Sequence, residues 1–93
     1  LDKYEIYVER NCVKDINTEK EIILTNKEMG ILEYLLRNRG RIVSTEELME
    51  HVWSEELDSF SQTVKTHIKT LRQKIDANKQ NILTVRGRGY EIA

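Results

Sequence analysis

Ninety-three residues, 39% of them apolar and 33% charged, suffice for one modest hydrophobic core and are too few for two. No apolar run nears the roughly 20 residues of a membrane-spanning helix, and the mixed opening Leu1-Asp2-Lys3-Tyr4 carries no secretory signal. The net charge of −1 hides a split: residues 1–60 hold 8 Lys/Arg against 14 Asp/Glu (−6), and residues 61–93 hold 7 against 2 (+5).

Without proline, low-complexity stretch or internal repeat to mark a linker, residues 1–93 read as a single domain. A start at Leu1 rather than methionine is the mark expected of a piece cut from a longer chain. Tyr4-Glu5-Ile6-Tyr7-Val8 and Asn11-Cys12-Val13-Lys14-Asp15-Ile16 alternate, with β-branched and aromatic residues, as half-buried strands do. Asn17-Thr18-Glu19-Lys20 is a polar break, and Glu21-Ile22-Ile23-Leu24 is a further short strand, so an antiparallel sheet opens the chain. Cys12, the single cysteine, has no internal disulfide partner, which fits a reducing compartment. Its place in an alternating run predicts a small buried strand residue.

Thr25-Asn26-Lys27-Glu28 is a capping box, and the helix it opens carries Met29, Leu32, Leu35 and Leu36 at helical spacing. Gly30 inside it is a poor helix former, which predicts close packing there; Gly40 supplies the stop. After the short extended pair Ile42-Val43, Ser44-Thr45-Glu46-Glu47 reads as a second capping box, opening a helix through Leu48, Met49, Val52 and Trp53. Ser54 to Phe60 breaks the apolar period and holds Glu55, Glu56 and Asp58, as an acidic loop would.

The longest helix is predicted from Ser61 to about Ala77, capped by Ser61 or Ser59. At about 100° per residue, Val64, Ile68, Leu71 and Ile75 form a narrow core-facing stripe. Gln62, Thr66, Lys69 and Gln73 lie opposite, flanked by Lys65, Thr70 and Arg72, with no acidic residue before Asp76. Such a face suits a major groove, where Lys donates to guanine, Gln bonds adenine edges and Thr meets a thymine methyl or a phosphate. Asp76 to Asn81 is polar and turn-like. Ile82-Leu83-Thr84-Val85 and Tyr90-Glu91-Ile92 then form a hairpin whose tip, Arg86-Gly87-Arg88-Gly89, projects two guanidinium groups. Arginine at a narrow tip fits a phosphate or a narrow minor groove. The glycines do not form a nucleotide-binding loop, since they lead into a strand rather than a helix.

The acidic body and basic C-terminal third match a compact domain that turns one face to phosphate. His51 and His67 fall on different helices with no third ligand near, so no metal site is expected. No nucleophile–base or paired-carboxylate arrangement is present in the sequence, and neither catalysis nor a cofactor is expected. A winged-helix module that binds protein instead of DNA is the rival reading, and it predicts an apolar or acidic third-helix face.

Taken in order, these segments resemble the C-terminal effector domain of OmpR/PhoB-family response regulators. Leu24-Thr25 with Glu28 and Leu32, then Val43-Ser44-Thr45-Glu46-Glu47-Leu48 and Val52-Trp53, look like that family's first two helices. Thr63-Val64, His67-Ile68, Leu71-Arg72 and Lys74 are similar to its recognition helix, and Thr84-Val85-Arg86-Gly87-Arg88-Gly89-Tyr90 to its wing. The resemblance implies an α+β winged helix-turn-helix: a four-stranded N-terminal antiparallel sheet, three helices and a C-terminal β-hairpin wing. It implies a bacterial, cytoplasmic transcription regulator with no membrane partner, bound as a tandem dimer to direct repeats in double-stranded DNA and aligned by an upstream receiver domain. By position, Trp53, Gln62, Thr63, His67, Arg72 and Tyr90 would contact the DNA backbone, with Thr84 and Arg88 of the wing beside them. Lys65, Thr66, Lys69 and Thr70 would lie in the major groove and Arg86 in the minor groove. Glu55, Glu56 and Asp58 would meet RNA polymerase. Trp53, His67 and Tyr90 could equally bury a ring and present a polar tip. Lys65 stands where an acidic residue is common, Gln62 and Thr70 where arginine is frequent, Met29 where an aromatic is common, and Arg88 where the family is often neutral. A target sequence therefore does not transfer.

Overall fold

Alternation along the first strands places Ile6 opposite Val13 and Val13 opposite Ile22, so one sheet face is apolar. The computed structural model, which describes residues 3–53 and 64–93, orders these strands antiparallel as β1 (Tyr4–Tyr7), β2 (Cys12–Asp15) and β3 (Glu21–Ile23). All the strands predicted by alternation form, and Cys12 is buried in β2 as expected. The fourth strand implied by the resemblance is absent among the described residues. Val8 leaves the sheet because Val8–Arg10 coils into a turn of 3-10 helix, ended by Asn11 in the left-handed region (φ 50°), which asparagine tolerates.

Helix α1 (Asn26–Arg37) begins at the predicted capping box: the Thr25 hydroxyl accepts from the Glu28 amide at 3.1 Å, and the Glu28 carboxylate accepts from the Thr25 amide at 2.8 Å. Gly30 faces helix α2 (Thr45–Val52), where an added Cβ would lie 2.9 Å from Val52 Cγ1. The predicted close packing is therefore against α2. At Ser44 only half of the second capping box forms. The hydroxyl accepts from the Glu47 amide at 3.0 Å, but the Glu47 carboxylate turns instead to Arg41, at 2.6 and 3.0 Å, and to the Tyr34 hydroxyl. A bidentate guanidinium outcompetes a single backbone amide. With Arg41 as the main cause and Tyr34 second, the Glu47 pKa is held down at about 2.

Helix α3 spans Val64–Ile75 in the described residues; its predicted start at Ser61 and the acidic loop lie outside them. Val64, Ile68, Leu71 and Ile75 are all buried, so the predicted stripe is the one that packs. The helix stops short of Ala77, where buried Asp76 accepts from the amides of Gln80, Asn81 and Ile82 at 2.8–3.2 Å. Strands β4 (Ile82–Val85) and β5 (Gly89–Ile92) form the hairpin, with Gly87 at φ +77° in its turn. Val43 exchanges both backbone hydrogen bonds with Tyr90, at 2.8 and 2.9 Å, which lays the hairpin against the α1–α2 connection. Residues from all three helices, β2 and the hairpin share one apolar core, including Val13, Leu35, Leu48, Leu71 and Ile82.

Candidate nucleic-acid interface

The core stripe fixes which side of α3 meets solvent. Lys65, Thr66, Lys69 and Gln73 are exposed, and with Arg72 and Lys79 they line a concavity of about 590 Å³ beside the helix. Arg86 and Arg88 are exposed on the hairpin turn, which closes through a bond from the Arg88 amide to the Val85 carbonyl at 2.9 Å. Lys65, Lys69, Arg86 and Arg88 have no ion pair among the described residues. Five cations elsewhere do: Arg10 with Glu21, Lys14 with Glu19, Arg37 with Glu33, Arg41 with Glu47 and Lys74 with Glu28.

The remaining predicted contacts divide by what already holds them. Trp53 is buried, with the His67 ring edge-on at 5.3 Å and the Lys27 ammonium 5.0 Å from its ring centre. Arg72 donates to the Ile82 carbonyl, at 2.6 Å from Nη2 and 3.1 Å from Nε, and to the Thr84 hydroxyl at 2.7 Å. Its guanidinium also lies 5.9 Å from the centre of the buried Tyr90 ring, so it ties α3 to β4 and β5. Half-buried Thr70 donates to Glu28. Gln62, Thr63, Glu55, Glu56 and Asp58 lie outside the described residues.

Glu28 escaped the sequence reading as anything beyond a cap. It is 2% exposed, and its carboxylate accepts from the Thr25 amide, the Lys74 ammonium at 2.7 Å and the Thr70 hydroxyl. Burial pushes its pKa up, but Lys74, Thr70 and the Thr25 amide together outweigh this and hold it below the ordinary value. The signal was present: Glu28 lies four and seven residues before Leu32 and Leu35, on their buried stripe. Among the described residues, no group of three His, Cys, Asp or Glu side chains could hold a metal ion.

The family model for the C-terminal domain of transcriptional regulatory proteins matches residues 19–92. The chain belongs to this family. It is a winged helix-turn-helix effector domain of the OmpR/PhoB response-regulator type, a family of DNA binding and transcription regulation. The sensory transduction protein RegX3 of Mycolicibacterium smegmatis is 41% identical over 88 residues, which cover 91% of this chain and 38% of RegX3. The chain thus spans well under half the length of that curated relative. The C-terminal domain of the nisin resistance regulator NsrR, a lantibiotic response regulator, superposes with a TM-score of 0.77 at 32% identity, over 99% of this chain and 93% of that domain. The DNA-binding domain of the response regulator AdeR, in complex with an intercistronic region, superposes with a TM-score of 0.76 at 26% identity, over 97% and 93%.

Proposed function

We propose that α3 enters the major groove of a specific duplex and that the β4–β5 wing follows the adjacent backbone into the minor groove. The observation that carries this is the segregation of uncommitted charge: Lys65, Lys69, Arg86 and Arg88 hold no carboxylate among the described residues, whereas Arg10, Lys14, Arg37 and Arg41 of the body pair with its acids. A face left cationic at the cost of local pairing is suited to releasing counterions from phosphate. Lys65, Thr66 and Lys69 approach base edges; Arg86 reaches the minor groove, and Arg88 and Thr84 the backbone. Gln62, Thr63 and the polar edges of Trp53, His67, Arg72 and Tyr90 meet flanking phosphates.

In the longer protein an upstream receiver domain aligns two such domains on direct repeats, and Glu55, Glu56 and Asp58, which phosphate repels, turn toward RNA polymerase in the bacterial cytoplasm. The AdeR domain's capture with an intercistronic region supports a duplex as partner. Selection from a randomised duplex pool tests the reading: a repeated motif is expected, and failure to enrich any sequence would overturn it. On the selected duplex, log affinity should fall linearly with log salt at about 0.9 per phosphate contacted. A flat dependence would remove the electrostatic basis.

A further inference from the structure

We infer that Glu28 of α1 fixes the rotational setting of α3 on the duplex, gripping it through Thr70 and Lys74, so that Thr70 is a positioning residue and not a reader of bases. This rests on α3 being the reading helix. An apolar stripe holds a helix against a core without direction, because hydrophobic contact is non-directional; hydrogen bonds constrain angle as well as distance. Thr70 and Lys74 lie one turn apart on the flank of α3 that faces α1. Thr70 donates to Glu28 Oε2, its hydroxyl also lying 3.1 Å from the His67 carbonyl of its own helix, and Lys74 donates to Oε1 at 2.7 Å and to the Ile23 carbonyl at 3.2 Å. On the opposite flank Arg72 is bonded to Ile82 and Thr84 of β4. Polar clamps on both flanks thus bracket the exposed face of Lys65, Thr66, Lys69 and Gln73.

The geometry makes this setting consequential. A roll of about 20° moves atoms at the helix's outer radius of about 5–6 Å by about 2 Å. That exceeds the width of the hydrogen-bond distance range, about 0.5 Å. Aiming the Thr70 hydroxyl at a base would also strip a donor from a carboxylate that is 2% exposed.

The test starts from the duplex selected by the unaltered protein, so absence of any selected duplex condemns the reading of α3 itself and is seen first. Thr70→Val, Thr70→Ser, Lys74→Met and Glu28→Gln are then compared with the unaltered protein on that duplex and on every single-base-pair variant. Salt is fixed, at a temperature where circular dichroism shows each protein folded. Thr70→Val should weaken the preferred duplex by about tenfold, the scale of one misread base pair, and flatten preference at all base pairs read by α3. Thr70→Ser, which keeps the hydroxyl, should restore both. Lys74→Met should flatten preference in the same way with an unchanged salt slope. Where Glu28→Gln folds, its loss and that of Thr70→Val should not multiply in the double variant; where it does not fold, the Thr70 and Lys74 variants decide. Altered preference at a single base pair in Thr70→Val or Thr70→Ser, wild-type binding by Thr70→Val, or a salt slope reduced by about one in Lys74→Met would overturn the inference.

Discussion

Replacing Gly89 with alanine tests how the wing is fixed to the body, because the wing can hold Arg86 and Arg88 in place only if its base is rigid. Gly89 sits at φ +143°, a region essentially closed to other residues, and an added Cβ would lie 2.1 Å from the Val43 carbonyl oxygen and 2.8 Å from Ser44 Cα. Both obstacles are backbone, so no side-chain rotation relieves them. The dihedral alone costs about 1–3 kcal/mol. Withdrawing from the clash breaks the reciprocal Val43–Tyr90 bonds of 2.8 and 2.9 Å, at about 1 kcal/mol each. The expected loss is therefore about 3–5 kcal/mol, a large part of a small domain's stability of about 5–15 kcal/mol. Gly87, at φ +77° with nothing within 4 Å of its added Cβ, is the control; Gly87→Ala should cost only about 1–2 kcal/mol. Urea unfolding followed by the single, buried Trp53 and by circular dichroism measures both. In thermal melts, Gly89→Ala should lie about 15 °C or more below the unaltered protein. Equal losses in the two variants, or a Gly89→Ala protein as stable as the parent, would refute the Val43–Tyr90 attachment as the wing's anchor.

Acid should weaken the fold in a defined window. Glu47, at about 2 through Arg41 and Tyr34, and Glu28, below its ordinary value, both bind protons more readily when unfolded. The Glu47 contribution is complete above about pH 4.5 and is lost as pH falls from there toward 2, and that of Glu28 is lost in the same direction; Glu47→Gln should flatten the melting midpoint against pH in that interval, and an unchanged slope would refute the assignment. Gln73, exposed on the row of Thr66 and Lys69, should read one base pair. Gln73→Ala is expected to relax preference there at a cost of about 1–3 kcal/mol, and a uniform loss across all site variants would place it on the backbone instead.

Period-based features were legible in the sequence because they depend on one segment at a time. The stripe Val64, Ile68, Leu71 and Ile75, the strand alternation around Val13 and the Thr25 cap all require only near neighbours, and all formed. What stayed hidden involves competition between partners distant in the chain. Glu47 stands at the correct spacing for a capping box, yet Arg41, six residues earlier, takes its carboxylate. Thr70 and Arg72 fall outside the apolar stripe, and their spacing alone does not show that each is tied to a neighbouring element. A helical wheel gives their angles but not that α1 covers one flank and β4 the other. Asp76 shows the same limit. It looked like a turn residue, and its burial follows from three amides that only the folded connection presents.

The net charge of −1 is compatible with a DNA-binding role because the duplex does not respond to the sum. At physiological ionic strength the screening length is about 8 Å, whereas the domain measures 38 × 25 × 20 Å. A phosphate near Lys69 or Arg86 therefore responds mainly to the charges on that face, and only weakly to acids more than a screening length away. Those acids still matter at encounter, since an approach by the body brings like charges together and fails. The −6 body and +5 C-terminal third thus select orientation before any base edge is touched. The pairing of Arg10, Lys14, Arg37 and Arg41 with local carboxylates sharpens that selection, because it leaves these four cations little attraction to offer a misdirected strand.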